Sequence, residues 1–77
     1  MTDDERRVLD FLWNEVDTHP EQTRCARRAF RIHVGLSDER KFEALRSLVA
    51  RGFVEVDEAN DFGFVFFRPI RRAEVLR

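Results

Sequence analysis

Apolar positions along the chain recur with a helical period before Gly52 and alternate with a period of two after it. The clearest helical stretch is residues 37–52. Phe42, Leu45, Leu48 and Val49 lie three to four residues apart on one stripe, and Arg40, Glu43, Ala44, Ser47 and Arg51 take the opposite side. This spacing predicts one buried face and one mixed surface. Both ends carry helix signals. The Ser37 hydroxyl can accept from an unpaired N–H, and Asp38 and Glu39 put negative charge at the positive end of the helix dipole. Arg51 and Gly52 supply a basic last turn and a left-handed stop.

Upstream, Thr2 and Glu5 have the spacing of a capping box, a hydroxyl followed three residues later by a carboxylate. Val8, Leu9, Leu12, Trp13 and Val16 then share a face. Phe11 falls off that stripe and is expected to pack against another element. Residues 18–21, with Pro20, break this helix. A second helix is expected from about Glu21 to His33, stopped near Gly35. Cys25, Ala26, Ala29, Ile32 and Leu36 face inward in that reading, and Arg24, Arg27, Arg28 and Arg31 form one basic stripe outside. After Gly52, residues 53–56 and 62–67 read as a strand pair joined by a polar turn. Phe62, Phe64 and Phe66 alternate with Gly63, Val65 and Phe67, so both faces of that strand are apolar. One face is left for the C-terminal tail or a second molecule to cover. Pro69 ends the strand, and residues 69–77 form a basic tail with some helical potential.

Seventy-seven residues make a single domain, 1–77, with a core near the lower limit for unaided folding. Eight Phe and one Trp offset the small size, and homodimerisation would add buried area. The net charge of −1 hides alternating blocks: −5 over residues 1–21, +4 over 22–34, +1 over 35–51, −4 over 52–67 and +3 over 68–77. Such a surface is dipolar, which bears on partners more than the total does. No apolar run reaches the length of a membrane span, and the acidic start is unlike a secretory leader. A cytoplasmic protein without a membrane partner is expected. The lone Cys25 fits a reducing compartment.

Little in the chain suggests reaction chemistry. His19, Cys25 and His33 lack a recurrent metal spacing, no glycine-rich phosphate loop is present, and no Ser or Cys has a recognisable base. The expectation is a protein that is not an enzyme and uses no metal or cofactor.

Residues 23–56, TRCARRAFRIHVGLSDERKFEALRSLVARGFVEV, resemble the centre of a winged helix-turn-helix domain: a helix, a glycine turn with serine, a longer helix, then LVARGFVEV leading into the wing. With the first helix and the hairpin, the resemblance spans nearly the whole chain. It implies an α+β fold of three helices followed by a C-terminal β-hairpin. In one departure from the pattern, so few residues separate the first two helices that the short strand often found there has little room.

The resemblance also implies double-stranded DNA as partner and a role in transcription regulation. The third helix would enter the major groove with Ser37, Arg40, Lys41, Ala44 and Ser47 near bases or phosphates, Arg40 being best suited to guanine. Arg24, Arg27, Arg28 and Arg31 would contact phosphates. A second expectation comes from charge. Asp38, Glu39 and Glu43 lie on or beside the reading helix, and Glu58 and Asp61 make the wing acidic, where nucleic-acid readers are usually basic. The alternative is a protein-interaction module, an adaptor or inhibitor. It would offer Asp38, Glu39, Glu43 and Asp61 to a basic nucleic-acid-binding partner, with Phe62, Phe64 and Phe66 as an apolar contact. Fold alone does not choose between these.

Overall fold

The computed structural model describes residues 1–19, 24–58 and 65–73. Its elements run α1 (Asp3–Thr18), β1 (Cys25–Ala26), α2 (Arg27–His33), α3 (Asp38–Ala50), β2 (Val54–Asp57) and β3 (Phe66–Pro69). The strands form one antiparallel sheet in the order β1-β3-β2. Three helices and a small sheet make an α+β arrangement compatible with a winged-helix layout.

The helix signals act where the sequence places them. Glu5 N–H donates to the Thr2 hydroxyl at 3.1 Å and Thr2 N–H to the Glu5 carboxylate at 3.2 Å, closing the capping box of α1. Ser37 caps α3 through the Arg40 N–H. At the other end Gly52 has φ +80°, and Phe53 and Gly52 donate to the Leu48 and Val49 carbonyls at 2.9 and 3.1 Å. This pair of bonds satisfies two orphan carbonyls and turns the chain directly into β2.

The start of α2 departs from expectation. The helix begins at Arg27 rather than near Glu21, because Cys25 and Ala26 leave the helical path to pair with Phe67 and Phe66. Two residues suffice for this strand, so the short connection has room for it after all. The sheet therefore has three strands rather than a hairpin alone. The second strand of the hairpin is also shifted, running from Phe66 to Pro69, with residues 62–64 outside the described chain.

Register separates the two faces of the sheet. Cys25, Val54, Val56 and Phe67 fall on the inner side, and Glu55, Asp57, Phe66 and Arg68 on the outer. Pro69 is tolerated in the central strand for a local reason. Ile70 N–H donates to the Phe53 carbonyl, so the Pro69 nitrogen points the other way, past the end of the two-residue β1. On the outer side Phe66 is half-buried. The Arg24 guanidinium lies 4.1 Å above its ring and pairs with Asp57.

Phe30 is the hub of the core. It is fully buried and meets Phe11, Phe42 and Phe67 edge-on at 6.2, 5.3 and 5.1 Å. Phe11 thus packs as expected, off the main α1 stripe. Ile32, expected inside, is 61% exposed, because the shorter α2 turns Phe30 rather than Ile32 toward α1 and the sheet. The tail is strapped to α1 without forming a helix over residues 70–73. Trp13 Nε1 donates to the Arg71 carbonyl at 2.9 Å, and Arg72 stacks on Trp13 while reaching Asp17 at 3.1 Å.

Candidate interaction surfaces

Helix α3 has a different outer face from the one its apolar spacing suggested. Lys41 and Ala44 are buried, at 3% and 5% exposure, together with Leu45 and Leu48. Asp38, Glu39, Arg40, Glu43, Arg46 and Ala50 are the exposed residues of the helix, with Asp38 and Arg40 engaged in ion pairs. The cause is α1, which packs along the side of α3 that carries Arg40, Ala44, Ser47 and Arg51. Lys41 is accommodated because its Nζ donates to the Arg31 carbonyl at 2.5 Å and sits 3.5 Å from Asp38. It ties the end of α2 to the start of α3.

The contact between α1 and α3 is polar at its edge. Glu5 is 7% exposed and accepts from Arg51 Nη1 at 2.7 Å and Ser47 Oγ at 3.2 Å. Burial pushes its carboxyl up, but the bonds from Thr2, Arg51 and Ser47 outweigh it, and the net shift is downward. Beside it, Arg40 grips Asp4 through Nε and Nη2, at 3.0 and 2.7 Å. That bonding holds Asp4 below its ordinary range. A cleft of about 300 Å³ opens here, with Asp4, Glu5 and Glu43 on its walls and Arg40 between them.

Of the four arginines of the expected stripe, Arg27, Arg28 and Arg31 are exposed on α2 and Arg24 lies outside it. Arg24 lies before β1, on the outer side of the sheet against Asp57 and Phe66. Arg31 pairs with Asp38 at 3.3 Å. Arg27 leans over the Phe42 ring at 5.5 Å and Arg28 is exposed. Among the described residues, neither Arg27 nor Arg28 has a carboxylate partner. Of the residues considered for a protein contact, Glu39 and Glu43 stand outward, Asp38 is engaged with Arg31 and Lys41, and Phe66 is half-buried beneath Arg24. Asp61, Phe62 and Phe64 lie outside the described residues.

On another flank of α3 a groove opens against the sheet. Phe42, Leu45 and Val49 of α3 face Val56, Val65 and Phe67 across a groove of about 280 Å³, with Arg27, Arg46 and Glu58 on the rim. Sequence reasoning missed this groove, since its walls come from stretches of the chain far apart in sequence. It also missed the burial of Glu5, although residues 5, 8, 9 and 12 share one helical stripe. Cys25 is buried, and burial with the nearby Glu15 pushes its thiol up to about 11, leaving it a poor nucleophile.

No helix of the described chain is long and apolar enough to cross a membrane. No family model, curated protein or solved structure matches the chain.

Proposed function

We propose that this chain is a protein-interaction module of winged-helix layout, offering the acidic outer ridge of α3 and the adjoining start of α1 to a basic partner. The observation that carries this reading is the Arg40–Asp4 pair. It commits the arginine best suited to a base to a carboxylate of the same chain. Glu39 and Glu43 then outnumber Arg46 on the exposed ridge. A phosphate brought to about 4 Å from either carboxylate meets a repulsion of about 1 kcal/mol even in bulk water, whereas a lysine or arginine there gains as much. Arg24 and Arg31, both offered for phosphate, are likewise paired with Asp57 and Asp38.

Duplex DNA is the second reading, favoured by Arg27 and Arg28 together with the element order α-β-α-α-β-β. Capture of partners from extract of the source cell, with and without nuclease, tests the choice. A protein partner retained after nuclease and lost on combined Glu39→Lys and Glu43→Lys substitution is the expected outcome. Loss on nuclease treatment alone overturns the proposal and favours DNA.

A further inference from the structure

The groove between α3 and the sheet leaves inner-face positions uncovered. Val56 sits opposite Phe67 in the register and shares the inner side of β2 with the buried Val54, yet it is 40% exposed. Phe42, Val49 and Val65 beside it are half-buried. Val56 therefore brings an apolar side chain into contact with solvent at the edge of the groove, beside the half-buried residues of its floor. At about 280 Å³ the groove lies just below the range of pockets that enclose a cofactor or drug-sized ligand, which suits one or two anchoring side chains. From Phe42 to Val49 the helix advances about 10 Å, the length of two helical turns or three extended residues.

Charge selects the occupant. Arg27 and Arg46 stand on the rim, and neither has a carboxylate partner among the described residues, in a molecule where Arg24, Arg31, Arg40, Arg51, Arg68 and Arg72 all do. Glu58 is the one rim carboxylate among the described residues, so the charge those residues place on the rim is net positive. An apolar floor adds nothing to the binding of a phosphate backbone, but it is what a peptide anchor requires.

We infer that this groove docks a short segment of a partner protein, one or two apolar side chains flanked by Asp or Glu, with Arg27 and Arg46 receiving the carboxylates. The inference rests on the protein-module reading but concerns the groove beside the acidic ridge, with Arg46 at the border of the two. The apolar floor supplies contact area and the two guanidiniums supply selection against basic segments.

Selection of a random 16-residue peptide library displayed on phage against the immobilised full chain tests it. The expected result is enrichment of peptides carrying an apolar pair next to Asp or Glu. Synthetic copies should shift the backbone amide resonances of Val49, Val56 and Val65, and bind at least tenfold more weakly to the Arg46→Glu and Val56→Glu variants. Arg46→Glu alters a solvent-exposed side chain and leaves the apolar floor in place, so it remains informative if Val56→Glu fails to fold. The inference is overturned if no peptide is enriched, if basic peptides are, or if binding is indifferent to Arg46→Glu. It is equally overturned if a 20-base-pair duplex, or a second copy of the chain, shifts the same resonances. If the ridge variants abolish partner capture while no peptide is selected, the groove inference fails and the proposed function stands.

Discussion

Arg40 and Asp4 form a two-point ion pair between α3 and α1, with Nε on one carboxylate oxygen at 3.0 Å and Nη2 on the other at 2.7 Å. The fork geometry of guanidinium and carboxylate makes this the most directional polar contact between the two helices. It engages a candidate base-reading side chain with a carboxylate of the same chain.

The pair should be visible in titration. Hydrogen bonding to Arg40 holds the Asp4 carboxyl below the ordinary carboxylate range. Carbon-detected NMR titration of the intact chain should place Asp4 among the most acidic of its aspartates, and Arg40→Ala should return it to the ordinary range. An unchanged Asp4 in that variant would show that the pair does not persist in solution.

Glu5 links stability to pH. Its folded pKa lies below its unfolded value, so its contribution is fully present above the unfolded value of about 4.3 and is lost as pH falls through the folded one. Glu5→Ala leaves Arg51, Ser47 and the Thr2 N–H without this acceptor. It should cost about 1–3 kcal/mol in urea unfolding at pH 7. The gap between variant and wild type should narrow below about pH 4. A gap that does not change with pH would assign the loss to packing instead.

Phe30 and Ile32 should respond oppositely to truncation. Phe30→Ala removes the hub of the aromatic cluster and should cost about 3–5 kcal/mol, against a total of roughly 4–12 kcal/mol for a domain this size. Ile32→Ala alters a side chain that is 61% exposed and should change stability by no more than about 0.5 kcal/mol. Chemical denaturation of both variants checks the start of α2, since a helix beginning near Glu21 predicts a buried Ile32.

The ends of α1 and α3 were readable from sequence because capping residues and Gly52 act locally, through bonds spanning no more than five residues. The start of α2 was not, because Cys25 and Ala26 take their conformation from β3, some forty residues away. A helical wheel extended back to Arg24 therefore included a residue that lies outside α2, while Arg27, Arg28 and Arg31 remain on it. The same limit hid the true outer face of α3. Its apolar spacing identified Leu45 and Leu48, but α1 buries Ala44 and Lys41 beside them, and only tertiary packing decides that. Val56 carried no warning either, since alternation marks it as inward, yet it lines an open groove and is exposed.

Binding to duplex DNA bears most directly on whether the surface around α3 serves a protein or a nucleic acid. Fluorescence anisotropy should be measured on a labelled 20-base-pair duplex of mixed sequence, with salt varied from about 50 to 200 mM. An acidic docking surface predicts no saturable binding at tens of micromolar protein, even at the lowest salt. Saturable binding whose log K falls against log salt with a slope near −3 to −5, from roughly three to five phosphate contacts, would contradict it. The contradiction would be complete if replacing Arg27 and Arg28 with Ala flattened that slope by up to about 2.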